Sequence, residues 1–347
     1  MGEILGLGIS HWPRLGQKNE QLSYWLKRTL EDPDLTEREK DPKNWPPRMQ
    51  EEWGDDQGAS HAQEHRDSMA SGLREVRKAL DAFKPDAIVV WGDDQYENFK
   101  EDLIPAFSVL AYQDDLECKP WGAQPNFWDE TKDTTFHVKS APEISKYLAT
   151  GMLEEEFDIA YAYRPLHFPH LPHAFMNTVL YLDYDRKGFP YPLIPFQVNC
   201  YGRYVISHRG FGFPYAEANK PLDPPSPSPH RCFDLGRAAA RVMLNSPWRI
   251  ALVASSSWSH AFLCDKFRHL WPDVESDRNL YNAMVRGDYD VWRNFKLADI
   301  EYSGQHELLN WFCLVGAMSE LKRTVKWSQF TETYVYNSDK VAAVFGP

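Results

Sequence analysis

Residues 86–95 read DAIVVWGDDQ, and this stretch decides the fold. Its first six residues are almost continuously apolar, which is typical of a parallel strand buried on both faces of a sheet. The strand is followed at once by Gly92, Asp93, Asp94 and Gln95. In open α/β sheets, ligands bind beyond the carboxyl ends of the strands. The stretch therefore predicts a central strand that brings polar side chains to a binding edge.

Apolar segments and amphipathic helices alternate along the rest of the chain. Further strands are predicted at Ile4–Ile9, Phe107–Tyr112, Phe157–Tyr163, Leu193–Val198 and Arg249–Ala254. Helical periodicity is clearest over Ala62–Phe83, and helices are also expected over Pro172–Leu182, Phe233–Leu244 and Gln305–Ser319. This alternation predicts an α/β fold with a mostly parallel central sheet and helices on both faces.

The chain of 347 residues is expected to form one large domain over residues 1–347. Residues 14–60 are polar and rich in proline, which predicts an insertion or cap outside the core. Residues 215–230 are rich in proline and serine, and they predict a long surface loop. Nothing in either segment requires a domain boundary.

Charge and cysteine content exclude several classes of protein. Lys and Arg number 38 against 50 Asp and Glu, a net charge of -12, which argues against nucleic acid or an anionic membrane as partner. The five cysteines form no CxxC pair and no signal peptide precedes the first predicted strand, so we expect reduced thiols and a cytoplasmic protein. No run approaches the roughly 20 apolar residues of a membrane helix.

Side chains that can bind metals follow four of the predicted strands. His11 follows the first strand and Asp93 to Gln95 follow the strand of the opening stretch. His167 and His170 come after Phe157–Tyr163, and His260 comes after Arg249–Ala254. Several such groups at one sheet edge favour a functional site over isolated structural histidines. The tract His167–His173 holds three histidines, but its prolines argue against a helical pair of ligands before Pro172.

Glu307 opens a segment that is otherwise apolar, LLNWFCLVGA at 308–317. A carboxylate in the first turn of a helix ordinarily compensates the helix dipole. Because this helix must be buried, Glu307 needs a partner in the core, and a metal ion is one candidate.

Several segments resemble, in order, the LigB-type class III extradiol dioxygenases. These segments are GISHWPRLG at 8–16, AIVVWGDDQYENFKEDLIPAF at 87–107, LHFPHLPHAF at 166–175, PLIPFQVN at 192–199, RCFDLG at 231–236, SSSWSHAF at 255–262 and SGQHELLNWFCLVGAM at 303–318. The family binds non-haem Fe(II) through two histidines and one glutamate. The resemblance implies that His11 and Glu307 are metal ligands, that His260 is the acid/base and that His167 is a second active-site histidine near the substrate.

One position departs from the family pattern. The second histidine ligand of the family aligns with Gln95, whose amide oxygen is a weaker donor than imidazole. Gln95 is the expected ligand at that position, and the alternatives are Asp94, Asp93, or a histidine from the preceding helix, either His65 or His61.

Two activities are compatible with this set of residues. The first is Fe(II)-dependent opening of a catechol, an aminophenol or a related hydroxylated aromatic ring by O₂, as in aromatic catabolism. The second is a non-oxidative hydrolase or lyase on the same fold that uses Zn²⁺ or another divalent ion. The expected partners are a small aromatic substrate and O₂, within a homo-oligomer or with a small helical subunit.

Overall fold

The computed structural model describes residues 2–206, 209 and 221–346. The strands are β1 (Glu3–Ile9), β2 (Ala87–Gly92), β3 (Phe107–Leu110), β4 (Leu116–Cys118), β5 (Phe136–Val138), β6 (Ala160–Ala162), β7 (Leu193–Val198), β8 (Arg249–Ser255), β9 (Thr324–Thr331) and β10 (Lys340–Gly346). The helices are α1 (Tyr24–Thr29), α2 (Glu37–Lys40), α3 (Pro47–Trp53), α4 (Ala62–Phe83), α5 (Pro142–Glu154), α6 (His173–Leu182), α7 (Pro229–Leu244), α8 (Val274–Arg286), α9 (Tyr289–Arg293), α10 (Leu297–Tyr302) and α11 (Leu309–Glu320).

Across the described residues, eight strands form one sheet in the order β6-β3-β7-β2-β8-β1-β10-β9. Its centre is parallel, because β7, β2, β8 and β1 all run in the same direction. The strands β3 and β10 flank this centre in antiparallel orientation. The carboxyl ends of the four central strands therefore lie at one edge of the sheet.

Helices cover both faces of the sheet, and β2 shows how its residues divide between them. Val89 and Trp91 belong to a core that includes α7 and α11, whereas Ile88 and Val90 belong to a core that includes α4 and α6. This alternation follows from the two-residue repeat of a strand, and it explains why the whole strand is apolar. The predicted α/β fold with a mostly parallel sheet is confirmed.

Two helices on one face approach closely enough to exclude side chains between them. A Cβ on Gly236 of α7 would lie 1.8 Å from the Cys313 carbonyl oxygen, and one on Gly316 of α11 would lie 2.0 Å from the Phe233 carbonyl oxygen. Glycine at both positions lets the backbones touch. Because α11 begins just after Glu307, the contact between α7 and α11 helps to fix the position of the Glu307 carboxylate in the buried interior.

The structure differs from the predicted elements mainly at their ends. Strand β6 is shorter than expected, and α7 begins at Pro229. The strands β4, β5, β9 and β10 and the helices α5, α8, α9 and α10 have no counterpart among the predicted elements. Residues 14–60 contain α1 to α3 and bury large apolar residues such as Trp45, Met49 and Trp53, so they contribute to the core. Of the loop predicted at 215–230, residues 215–220 lie outside the described residues.

Two further findings concern membranes and thiols. Among the described residues, no helix combines the length and the apolar character needed to cross a bilayer. The cysteines Cys118, Cys200, Cys232, Cys264 and Cys313 all lie in the described part of the chain, and each is buried without a disulfide.

Candidate metal centre

The centre begins with His11, just beyond β1. Its Nδ1 lies 2.8 Å from the carbonyl oxygen of Ser255, the last residue of β8. A carbonyl only accepts hydrogen bonds, so Nδ1 carries the proton and Nε2 is left as a ligand atom. Nε2 lies 3.6 Å from Glu307 Oε2 and 3.8 Å from Asp93 Oδ1. Burial lowers the pKa of His11 well below its usual value, so the ring is neutral.

Glu307 lies in the short 3₁₀ turn His306–Leu308 that leads into α11. Burial raises the pKa of this carboxyl to about 7. The hydroxyl of Tyr201, just beyond β7, donates a hydrogen bond to Glu307 Oε1 over 2.6 Å. On the other side, His260 Nε2 lies 3.5 Å from the same oxygen. Glu307 therefore lies between a fixed hydrogen-bond donor and a buried imidazole.

Asp93 follows β2 and is fully buried. Its pKa is raised to about 8, first by burial and then by the nearby charge of Glu307. Among the described residues, Oδ1 of Asp93 has no hydrogen-bond partner. An unpaired buried carboxylate oxygen is costly unless a proton or a cation meets it.

Gln95 lies among the acidic groups and presents its amide nitrogen to them. Nε2 lies 3.2 Å from Asp93 Oδ2, 3.2 Å from Glu307 Oε1 and 2.5 Å from the Tyr201 oxygen. In this orientation the amide nitrogen of Gln95 donates hydrogen bonds to the carboxylates.

His173, the first residue of α6, completes the cluster. Ligand atoms of His11, Asp93 and His173 all lie within 4.8 Å of one another. The two imidazole rings meet edge to face, with centroids 5.3 Å apart. His173 Nδ1 lies 3.0 Å from Glu97 Oε2. Burial lowers the pKa of His173, but the carboxylates of Glu97, Asp93 and Glu307 outweigh burial and raise it to about 10.

The structure brings together five of the residues that the sequence points to: His11, Asp93, Gln95, His260 and Glu307. Burial and the nearby Lys340 lower the pKa of His260 to about 3, so its ring is neutral near pH 7. Asp94 is buried beside the centre, but its carboxylate accepts hydrogen bonds from the backbone N–H groups of residues 97–99. Asp94 therefore shapes the loop after β2.

The other three predicted residues have partners elsewhere. His167 is 36% exposed in its side chain, and its Nε2 pairs with Asp102 at 2.8 Å. His65 is buried on α4, where its ring packs against Trp12 and Tyr336. His61 precedes α4 and lies near Glu64. Their predicted roles remain predictions.

Three residues of the centre were not predicted as site residues: His173, Tyr201 and Glu97. His173 ends the tract HFPHLPH and stands directly after Pro172, where α6 begins, but this spacing does not distinguish it from His167 and His170. Tyr201 and Glu97 had no signal in the sequence, because each follows a strand end at a distance that only the folded loop determines.

The donor atoms at this centre suit a divalent transition metal. Imidazole nitrogens and carboxylate oxygens together are typical of Fe(II), Zn²⁺ and related ions. Burial raises the pKa of both Asp93 and Glu307, and Oδ1 of Asp93 is unpaired among the described residues, so a cation beside them would offset the cost of burying their charges. The residues present therefore fit a metal ion.

Comparisons with known proteins identify relatives of low sequence identity whose names agree with this chemistry. No family model matches the chain. It is 24% identical over 207 residues to a protein of Photorhabdus laumondii subsp. laumondii named 2,3-dihydroxyphenylpropionate/2,3-dihydroxicinnamic acid 1,2-dioxygenase, covering 58% of this chain and 52% of that protein. A Comamonas testosteroni protein of the same name is 24% identical over 185 residues, covering 53% of this chain and 46% of that protein. The chain spans about half the length of these curated relatives.

Proposed function

We propose that this protein is an extradiol-type dioxygenase that opens a catechol, an aminophenol or a related hydroxylated aromatic ring with O₂. The observation that carries the proposal is the buried group of His11, Asp93 and Glu307 with the neutral His260 beside it. The distant relatives, which are named as ring-cleaving dioxygenases, support the same activity.

We infer that His11, Glu307 and Asp93 hold Fe(II), with Asp93 in place of Gln95, the ligand expected from the sequence. Asp93 is favoured because its Oδ1 is unpaired and faces His11, whereas Gln95 donates to the acids. Fe(II) held by these residues would supply the redox chemistry that lets O₂ react with the aromatic ring.

His260 is suited to move a proton at the substrate. Its Nε2 lies 3.5 Å from Glu307 Oε1, and a neutral imidazole at this position can accept the proton of a catechol hydroxyl when the substrate binds. The same nitrogen can then return the proton to the ring-opened product. Among the described residues, Nδ1 of His260 has no hydrogen-bond partner.

The test is O₂ consumption by protein reconstituted with Fe(II), measured across a panel that begins with 2,3-dihydroxyphenylpropionate and extends to other catechols and aminophenols. We expect one O₂ consumed for each ring opened and a coloured ring-opened product, with His260→Gln as the matched variant. Protein shown to contain Fe(II) that neither consumes O₂ nor forms product on any member of the panel would contradict the proposal.

A second candidate is a non-oxidative hydrolase or lyase that uses Zn²⁺ or another divalent ion. The observation in its favour is the pair of buried carboxylates, Asp93 and Glu307, because hard oxygen donors suit ions without redox chemistry. Turnover of an aromatic substrate under strict exclusion of O₂ would support this candidate and count against the dioxygenase.

A further inference from the structure

His173 is not one of the ligands that the family resemblance implies. The second imidazole expected after β2 is replaced by Gln95, but a ring nitrogen of His173 lies within 4.8 Å of ligand atoms of both His11 and Asp93. The two imidazoles therefore converge on the carboxylates from different elements, β1 and α6.

Both rings are oriented by an outer partner at Nδ1. His11 Nδ1 bonds the Ser255 carbonyl oxygen, and His173 Nδ1 bonds the Glu97 carboxylate. Glu97 also accepts the backbone N–H of His173, at the start of α6. Histidines that bind metals almost always donate their second N–H to a carboxylate or carbonyl in this way. Nδ1 of each ring therefore carries a proton, and a metal ion that binds Nε2 of His173 would displace the proton held there.

The helix that carries His173 is attached to the rest of the centre. One turn after His173, the Asn177 amide donates to the His11 carbonyl oxygen over 3.2 Å. The hydroxyl oxygen of the next residue, Thr178, lies 2.5 Å from Ser255 Oγ, and the two hydroxyls are hydrogen-bonded. Helix α6 also packs against β2 and β8. These contacts hold His173 in register with His11 and Asp93.

The other histidines of the tract lack these features. His170 is half-buried, and its Nδ1 lies 2.6 Å from the Glu117 carbonyl oxygen. The prolines at 169 and 172 separate the three histidines, so only His173 is part of a helix. His170 is therefore a matched control from the same short segment.

We propose that His173 supplies the second imidazole of the centre, so that the metal is held by His11, His173 and the carboxylates of Asp93 and Glu307. This inference rests on the metal centre of the proposed function and does not depend on which reaction occurs there. The ligand that other family members place after β2 is then provided from the first residue of α6, and Gln95 joins the carboxylates by hydrogen bonds.

The test uses the full chain loaded with Co(II), followed by proton NMR. Each bound imidazole with a protonated Nδ1 should give one strongly shifted resonance that disappears in D₂O, so the wild-type protein should show two. His173→Ala and the bulkier His173→Gln should each show one. Both variants should lose at least about 100-fold in Co(II) affinity, whereas removing only an outer partner, as in Glu97→Gln, should cost about 10–100-fold. His170→Ala should retain both resonances and the wild-type affinity.

Two exchangeable shifted resonances and unchanged Co(II) affinity in both His173 variants would overturn the inference, as would a single such resonance in the wild-type protein. A loss on Gln95→Ala equal to that expected for His173→Ala, with His173→Ala unaffected, would assign the ligand to Gln95 instead. If the wild-type protein shows two resonances but its Fe(II) form opens no aromatic ring, the ligand assignment stands and the proposed activity fails.

Discussion

Replacing Tyr201 by phenylalanine removes one hydrogen bond from the metal centre and leaves the ring in place. Burial raises the pKa of Tyr201, so its hydroxyl keeps its proton and donates to Glu307 Oε1 over 2.6 Å. Gln95 loses one acceptor but retains Asp93 and Glu307. The principal effect of Tyr201→Phe should therefore fall on the charge of Glu307.

The magnitude follows from the value of a hydrogen bond to a charged group, about 1.5–3 kcal/mol. At about 1.4 kcal/mol for each factor of ten, losing it should raise the pKa of Glu307 further and weaken metal binding by about 10–150-fold. Because the wild-type pKa of Glu307 is already about 7, the variant keeps its proton over a wider pH range. The deficit should be largest below pH 7 and should shrink as the pH rises and the variant's carboxyl ionises.

The assay is competition for Co(II) against a chelator of known affinity, from about pH 6 to about pH 9. Tyr289→Phe is the control, because it removes a tyrosine hydroxyl that donates to the Arg323 carbonyl oxygen, outside the centre. A deficit that is the same at every pH would refute the reasoning, since it would show that Tyr201 acts through packing alone. An affinity equal to the wild-type value at about pH 6 would also refute it.

Three other substitutions separate packing, proton transfer and buried charge. Gly316→Ala places a Cβ 2.0 Å from the Phe233 carbonyl oxygen, so urea denaturation should show a loss of about 1–3 kcal/mol or more, whereas Gly122→Ala, with open space around it, should cost less than about 0.5 kcal/mol. His260→Gln should lower kcat for ring opening by about 100-fold or more while the Co(II) affinity is retained, and an unchanged kcat would exclude His260 as the acid/base. Asp93→Asn should bind Co(II) more weakly but stabilise the metal-free protein. Because the folded-state pKa of Asp93 is raised from 3.8 to about 8, the wild-type protein loses stability as the pH rises through that window, so the gain measured by thermal unfolding should be large at about pH 9 and small at about pH 5.

The sheet was predictable where local pattern and burial agree. The stretch at 86–95 identified β2 because a strand covered by helices on both sides must be apolar throughout, and Ala62–Phe83 matched α4 to the residue because its apolar stripe spans six turns. Strand β9 was not predicted because its half-exposed sequence, TVKWSQFT, has no comparable run of apolar residues.

In the candidate site, too, residues next to strand ends could be predicted from the sequence, and residues placed by long-range contacts could not. His11 and Asp93 could be selected because each lies within two residues of the end of a strand, and the carboxyl ends of parallel strands meet at one edge. His173 could not be separated from His167 and His170 by spacing alone. Its position depends on how Asn177 and Thr178 attach α6 to residues far away in the sequence, and no local pattern contains that information.

The pairing of β1 with β10 has a consequence for how the protein is made. Gly6 of β1 lies opposite Phe345 of β10. One edge of β1 therefore stays unpaired until β10, near the end of the chain, has been synthesised. Such distant pairing slows folding and leaves strand edges open in a nascent chain on the ribosome. The side chains around the candidate metal centre come from positions between 11 and 307, so the full set is present only after synthesis has passed residue 307. Under the proposed function, metal would bind late in synthesis or after it, and the buried acids would destabilise a chain that folds before the metal arrives.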